Sequence, residues 1–172
     1  QQHGRQRMEN MNQLTEKDVT EILSQREELL EGYHQRLEML SREYEDADEL
    51  IGMLQMRSPG VENEIQASGV NKGLDDIYLM YERQRKKYQE EIHQNMLQIM
   101  DLIDRVKHVY LYYLQLPPKE QAILKEIYIE KKQYKEIIKE GMSESSINRI
   151  RKRAIKIIIQ RWEKDNREEQ EE

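Results

Sequence analysis

Apolar side chains recur at every third or fourth position along two long stretches of this sequence, and this period constrains the fold more than any other feature. The stretches run from residue 15 to about residue 57 and from Leu74 to Leu114. Apolar residues at this spacing lie on one face of an α-helix. Residues 58–73, which join them, contain three glycines and a proline. We therefore predict an all-α fold that begins with a long antiparallel helical hairpin, similar to a coiled coil.

Single residues predict where the first helix starts and where its stripe is interrupted. Thr15 can cap the helix, because Asp18 stands three residues later and can hydrogen-bond back to the cap. Leu14 can pack onto Val19 across the same turn. Arg26 interrupts the apolar stripe, and an arginine interrupts the stripe of the second helix in the same way.

The composition suits narrow helical stripes better than one large core. Hydrophobic residues make up 37% of the sequence and charged residues 36%, with no phenylalanine and one tryptophan. Two helices with narrow stripes bury little apolar surface as a lone pair. We therefore expect a homo-oligomer, either a dimer or a larger assembly.

The sequence also excludes several classes of protein. It contains no cysteine, so disulfides and thiolate zinc sites are ruled out. No apolar run reaches the length of a membrane span, and no secretory signal is visible. We expect a cytoplasmic protein that has no membrane partner.

A different pattern begins at Leu116-Pro117-Pro118, because proline ends a helix and restricts the residue before it. Residues 119–130 are predicted to form a short helix. The residues expected on its inward face are Ala122, Ile123, Ile127 and Tyr128.

Residues 133–162 have the pattern of two helices joined by a tight turn. In the first helix, Tyr134, Ile137 and Ile138 are spaced to share one face. Gly141 follows where a left-handed residue is needed, and Ser143 is suited to cap the next helix. The apolar stripe of that helix, predicted over 144–162, comprises Ile147, Ile150, Ala154 and Ile158. This arrangement is typical of a helix-turn-helix.

The second of these helices is basic although the protein is acidic. Between Glu144 and Trp162 there are six basic residues and one acidic residue, whereas the whole protein has a net charge of −6. The residues opposite the apolar stripe are Asn148, Arg149, Arg151, Lys152 and Lys156. A basic helix within a helix-turn-helix pattern predicts binding to double-stranded DNA.

These features divide the sequence into four predicted segments. They are a disordered leader (1–13), an oligomerising helical hairpin (14–115), a three-helix helix-turn-helix domain that binds DNA (116–164) and an acidic tail (165–172). The charge balance is +6 over 116–164 and −4 over the tail. An acidic front half and a basic module indicate a division of labour between oligomerisation and DNA binding.

The C-terminal domain resembles the fourth region of bacterial sigma factors. The features that carry this resemblance are Leu116-Pro117 at its start, Tyr128 at a helix end, the paired Ile137-Ile138 and the Arg153-Ala154 step. With its acidic helical front half, the chain looks like phage-encoded late-gene regulators of the ArpU and RinA type. The resemblance implies a sequence-specific transcriptional regulator acting in a bacterial host cell. It leaves contact with RNA polymerase open and does not imply promoter opening.

The resemblance also implies roles for individual residues. Those that would face the edges of bases are Glu144, Ser145, Asn148 and Arg149. Those that would hold phosphates are Ser143, Lys152 and Arg153. The basic face adds Lys156 to the predicted DNA-binding residues.

Two other functions are compatible with the sequence. A phage small terminase subunit also combines a helix-turn-helix with oligomerising helices, although there the DNA-binding module usually comes first. A coiled-coil adaptor would leave the basic helix merely solvated. We predict no enzyme, because no glycine-rich phosphate loop and no HExxH spacing is present. No cofactor and no metal site are expected, and His34 and His93 are interpreted as surface histidines.

Overall fold

The computed structural model describes residues 13–56, 71–138 and 141–171, with side chains over 13–47, 76–138 and 141–168. In this part of the chain the elements are α1 (Glu16–Met56), α2 (Asn71–Leu114), α3 (Pro118–Leu124), a π-helical turn (Lys125–Ile129), α4 (Tyr134–Ile138) and α5 (Glu144–Glu171). No strand occurs among the described residues. The predicted all-α class is therefore confirmed.

The long helices begin and end close to the predicted positions. Helix α2 starts at Asn71, three residues before the predicted start at Leu74, so Gly73 lies inside the helix. The rest of the predicted loop and almost all of the predicted leader fall on residues 57–70 and 1–12, outside the described residues. Among the described helices, none combines the length and apolar character that crossing a membrane requires.

The first turn of α1 is fixed by the predicted capping residues. The Asp18 N–H donates to Thr15 Oγ1 at 3.2 Å, and the Thr15 N–H donates back to Asp18 Oδ2 at 2.8 Å. Leu14 and Val19 are both buried, as expected for an apolar pair across the cap. Arg105 of α2 adds a hydrogen bond to Asp18 Oδ2 at 2.8 Å. The cap therefore also ties the start of α1 to the end of α2.

We expect Asp18→Asn to destabilise the fold by about 1 kcal/mol at neutral pH, the usual value of a helix cap. Burial alone would raise the pKa of Asp18, but the hydrogen bonds from Thr15 and the Arg105 guanidinium outweigh it and lower the pKa. A lowered folded-state pKa stabilises the protein above the unfolded pKa, and this contribution is lost as pH falls through the folded pKa.

Denaturant unfolding at a series of pH values measures this effect. The gap between wild type and Asp18→Asn should be largest near pH 7 and should shrink in acid. Glu21→Gln, the same kind of change at an exposed position one turn away, serves as the control. A gap that is independent of pH would contradict the role given to the Asp18 carboxylate.

The helices group into two compact units, and α1 and α2 each pass through both. The terminal unit comprises Gln1–Leu30 with Ile103–Glu172, and the middle unit comprises Glu31–Leu102. The start of α1 and the end of α2 thus belong with the C-terminal helices. The predicted boundary at 115/116 falls inside the terminal unit, and the functions assigned to the two predicted domains stay predictions.

The terminal unit has the larger buried core of the described chain. Its most fully buried side chains are Val19, Val109, Leu124, Ile137, Ile147, Ile155 and Ile158. Arg26, which interrupts the stripe of α1, places its guanidinium 3.8 Å from the centroid of the Tyr110 ring. This stacking gives the arginine a favourable place beside an apolar stripe.

Hydrogen bonds between α1 and α2 hold the described part of the middle unit. Tyr88 Oη donates to Glu43 Oε1 at 2.7 Å, and Gln89 Nε2 donates to the Tyr44 carbonyl at 3.4 Å. Ile92 and Ile99 are buried in this unit, while several tyrosines and aliphatic residues are exposed among its described side chains. The complete antiparallel hairpin stays a prediction, because its bend would fall on residues 57–70.

Helix α5 is longer than predicted. It continues past Trp162, where the predicted helix ended, to Glu171, so residues 165–171 of the predicted acidic tail are helical. The segment after Trp162 lacks glycine and proline and is rich in helix-forming residues. Tyr112 also donates a hydrogen bond to Asp165, and burial together with this bond raises the pKa of the tyrosine. The extension is therefore partly packed rather than fully solvated.

Candidate nucleic-acid interface

Three helices contribute one isoleucine each to a common buried cluster. Ile123 of α3, Ile137 of α4 and Ile147 of α5 are each less than 5% exposed. The side chains that pack against this cluster are Ile127, Tyr134, Met142 and Ile150. Ala122 is exposed, so its predicted inward position was wrong, and Ile138 is exposed although it was predicted to share a face with Tyr134 and Ile137. Helix α4 has only five residues, so a single residue, Ile137, forms its buried anchor.

The turn between α4 and α5 contains the predicted left-handed residue. Gly141 has a φ of 92°, and its N–H donates to the Ile138 carbonyl at 3.0 Å. A Cβ built on Gly141 would meet no heavy atom within 4 Å, so backbone conformation rather than space at the Cβ favours glycine here. Met142 is half-buried against the isoleucine cluster and fixes the turn to the core.

Ser143 caps α5 as predicted. Its Oγ accepts from the Ser146 N–H at 3.3 Å, and its carbonyl accepts from the Ile147 N–H at 3.0 Å. The Ser143 hydroxyl also donates to Ser146 Oγ at 2.9 Å. Glu144 is exposed in the first turn, where a negative charge is favourable. The predicted phosphate contact from Ser143 would have to share its hydroxyl with this cap.

Four predicted DNA-binding residues form one exposed stripe along α5. Ser145, Arg149, Lys152 and Lys156 follow one another at steps of four, three and four residues, and all four are exposed. They lie opposite Ile147, Ala154 and Ile158, which are fully buried. Eleven residues separate the ends of the stripe, a helical length of roughly 16 Å. The core therefore holds one basic face of α5 outward.

Arg153 lies beside this stripe at the edge of a surface groove. Its side chain is 73% exposed, and its Nε lies 3.8 Å from Oε1 of Glu120, a carboxylate that is only 10% exposed. The groove has a volume of about 690 Å³, and its polar lining residues are Lys119, Glu120, Ser143, Ser146, Arg149 and Arg153. The sequence analysis did not include Lys119 and Glu120 among the binding residues. The signal that was available is their position in the first turn of the helix that starts at Pro118.

Two polar residues of α5 are engaged within the terminal unit. Arg151, predicted to lie on the outer face, donates to Glu16 Oε1 at 3.0 Å and to Tyr128 Oη at 2.9 Å, and its side chain is 17% exposed. Burial alone would lower the pKa of Arg151, but these bonds keep it above its ordinary value. Its position on the outer face was therefore wrong, because it lies only about 40° around the helix from Ile147 at 100° per residue.

Asn148 occupies the border between the buried and exposed faces. Its Oδ1 accepts a hydrogen bond from the Tyr134 hydroxyl at 2.9 Å. An asparagine side chain has one acceptor oxygen and two N–H donors. The amide N–H groups of Asn148 are therefore the donors available for the predicted base contact, while Oδ1 keeps one further lone pair.

The structure thus brings all eight predicted residues together between Ser143 and Lys156, and seven of them, all except Asn148, are exposed. The Ser143 and Ser145 hydroxyls lie 3.3 Å apart, and Arg153 forms its loose pair with Glu120. Within the described part of the chain, no cluster of three or more histidine, aspartate or glutamate side chains is arranged to hold a metal ion. Comparisons of this chain with protein-family models, with curated proteins and with solved structures found no match.

Proposed function

We propose that this protein is a sequence-specific transcriptional regulator that binds double-stranded DNA through a C-terminal helix-turn-helix. The observation that carries the proposal is the exposed stripe of Arg149, Lys152 and Lys156, held outward by the shared core of α3, α4 and α5. Cations clustered along one exposed helix face form the electrostatic footprint that a DNA-binding surface presents. The proposed role is therefore binding rather than catalysis.

In this proposal the start of α5 enters the major groove, which is wide enough to admit an α-helix. The N-terminal residues of a recognition helix contact base edges, so Ser145 and Arg149 are the proposed readers, with Glu144 and the Asn148 amide beside them. An arginine can bind guanine through two hydrogen bonds. Arg149 supports this role because its side chain is exposed in the second turn of α5.

The cations further along α5 are proposed to bind phosphates. Lys152 and Lys156 lie on the same stripe, and Arg153 stands beside it with Lys119 across the groove. Glu120 would repel a phosphate that entered deeply, so the groove favours a contact at its rim. The acidic surface of the rest of the chain would help to orient this face toward DNA.

The proposal includes self-association of the helices over 14–115. Exposed apolar side chains of the middle unit support this part of the proposal. Apolar side chains that are grouped on a protein surface mark sites of interaction with other proteins. By its resemblance to phage late-gene regulators, the protein would act in the cytoplasm of a bacterial host. Contact with RNA polymerase is a further part of that resemblance.

Selection of bound duplexes from a random pool tests the proposal. We expect one short sequence motif to be enriched among the bound duplexes, because the start of α5 would contact a fixed set of bases. Recovery of duplexes without any shared motif would contradict sequence-specific regulation. In that case a ring of eight or more copies by mass measurement would favour a small terminase subunit, and absence of DNA binding at low salt would favour an adaptor.

A further inference from the structure

Helix α2 carries a second stripe of large apolar side chains, which are about half exposed in the described part of the chain. Leu97, Met100, Leu111 and Leu114 are 42% to 54% exposed. They lie on a neighbouring face, roughly 100° around α2 from Ile99, Ile103 and Val106. Each of these three residues is no more than 9% exposed. Large aliphatic side chains grouped on one face in this way indicate an interaction surface.

The spacing of this outer stripe is that of a coiled-coil seam. From Leu97 to Leu114 the positions advance by alternating steps of three and four residues, which is the heptad pattern. The two positions in the middle of the stripe are Asp104 and Lys107, both exposed. The stripe therefore has an apolar end, a pair of opposite charges and a second apolar end.

This order of residues is self-complementary when two copies run antiparallel. A twofold axis between Arg105 and Val106 places Asp104 opposite Lys107 of the second copy, and Lys107 opposite Asp104 of the second copy. The same axis places Met100 opposite Leu111 and Leu97 opposite Leu114. Every apolar side chain meets an apolar one, and both charges meet opposite charges, as an isologous interface requires.

The parallel arrangement is disfavoured by the same residues. In register, it would place Asp104 against Asp104 and Lys107 against Lys107 in the middle of the seam. Like charges that face each other across an interface oppose association. The central charges therefore select orientation as well as partner.

We propose that the outer stripe of α2, from Leu97 to Leu114, is the surface through which two copies of this chain pair antiparallel. The occupant is a second copy because the charge pattern matches its own reverse. This inference rests on the self-association part of the proposed function and does not depend on DNA binding. The seam is short, about 25 Å at 1.5 Å per residue, so it suits a dimer that dissociates at low concentration.

Charge reversal tests the surface in sedimentation equilibrium of the full chain. Asp104→Lys and Lys107→Asp each replace two attractive contacts with two repulsive ones, and we expect each to weaken the dimer about tenfold. The double variant Asp104→Lys/Lys107→Asp restores both attractive contacts and should return to within about twofold of wild type. Asp104 also lies 3.0 Å from His108 of the same chain, and Asp104→Lys removes this contact. The double variant lacks the contact as well, so recovery of its dimer constant would show that the effect of the single variants comes from the interface.

Glu91→Lys is the matched control, because it makes the same charge change at an exposed position of α2 away from the stripe. Its dimer constant should equal that of wild type. A wild type that stays monomeric at high concentration would overturn both the surface and the proposed self-association. If the protein is oligomeric but neither single charge reversal changes its association constant, the proposed surface is wrong while self-association stands.

Cysteine cross-linking tests the orientation, and the absence of native cysteines leaves no background. A mixture of Leu97→Cys chains and Leu114→Cys chains should form a disulfide-linked heterodimer on mild oxidation. Each variant alone should cross-link poorly, since its cysteines would lie far apart along an antiparallel seam. Efficient cross-linking of Leu97→Cys with itself would overturn the antiparallel pairing.

Discussion

Replacing Arg149, Lys152 and Arg153 together by alanine is expected to weaken binding to duplex DNA by about 100-fold at physiological salt, since each lost contact costs on the order of 1 kcal/mol or more. All three side chains are exposed on α5. Their removal should leave folding almost unchanged, with the unfolding free energy within about 0.5 kcal/mol of wild type. The loss would therefore report on binding rather than on stability.

The salt dependence should change in parallel with the affinity. Each phosphate contact contributes about 0.9 to the slope of log K against log salt, so removing Lys152 and Arg153 should reduce the slope by about 2. Arg149→Ala alone should reduce the preference for one base over the others. It should weaken binding to the preferred duplex by about 1–3 kcal/mol if the side chain pairs with a guanine. Lys152→Ala should weaken all sequences alike, and fluorescence anisotropy titrations on matched and mismatched duplexes separate these effects.

A triple variant with the same loss of charge provides the control. Lys17, Lys164 and Arg167 are also exposed cations of the terminal unit, but none belongs to the stripe or the groove. Replacing them by alanine should change affinity by no more than a few-fold, through the general field of the protein. Equal binding by wild type and the Arg149, Lys152, Arg153 variant would remove the basis for placing α5 in the major groove.

The features predicted correctly from the sequence depend on residues close together in the chain. The cap of α1 joins residues three apart, as does the cap of α5, and the Gly141 turn joins two neighbouring helices. Such local chemistry gives the same result in almost any surrounding structure. The helices and the turn of the candidate site were predictable for this reason.

The features that were missed depend on residues far apart in the chain. Arg151 was assigned to the outer face, but its partner Glu16 lies 135 positions earlier, at the start of α1. The hydrogen bond from Tyr112 to Asp165 spans 53 positions and accompanies the unpredicted extension of α5. Spacing along a helix shows which residues share a face, but it cannot show which other element covers that face.

The outer stripe of α2 was missed for a related reason. Asp104 and Lys107 divide its apolar residues into two pairs, so a search for continuous apolar periodicity finds only the inner stripe. The pattern becomes visible once the structure shows that the inner stripe is buried and the outer one is exposed. In the proposed pairing, the two charges specify the orientation of the partner and do not interrupt the helix.

Gly141→Val is expected to destabilise the terminal unit by about 1–3 kcal/mol through backbone strain. With a φ of 92°, Gly141 adopts a conformation that a β-branched residue tolerates least. A Cβ at this position would meet no heavy atom within 4 Å, so the expected cost comes from the backbone conformation. The strain would disturb the crossing of α4 and α5 that keeps Ile137, Met142 and Ile147 in one cluster. DNA binding should therefore fall together with stability.

Alanine substitutions at two glycines separate backbone strain from every other effect. Gly32 lies inside α1 without a positive φ, and its side-chain position is open like that of Gly141. Gly32→Ala should stabilise the protein by up to about 1 kcal/mol, because alanine favours a helix over glycine. Gly141→Ala should destabilise it, and Gly141→Asn should cost less than Gly141→Ala, since asparagine tolerates left-handed backbone better. Denaturant unfolding of the three variants measures these differences, and a raised midpoint for Gly141→Ala with full DNA binding would show that the turn does not need its left-handed residue.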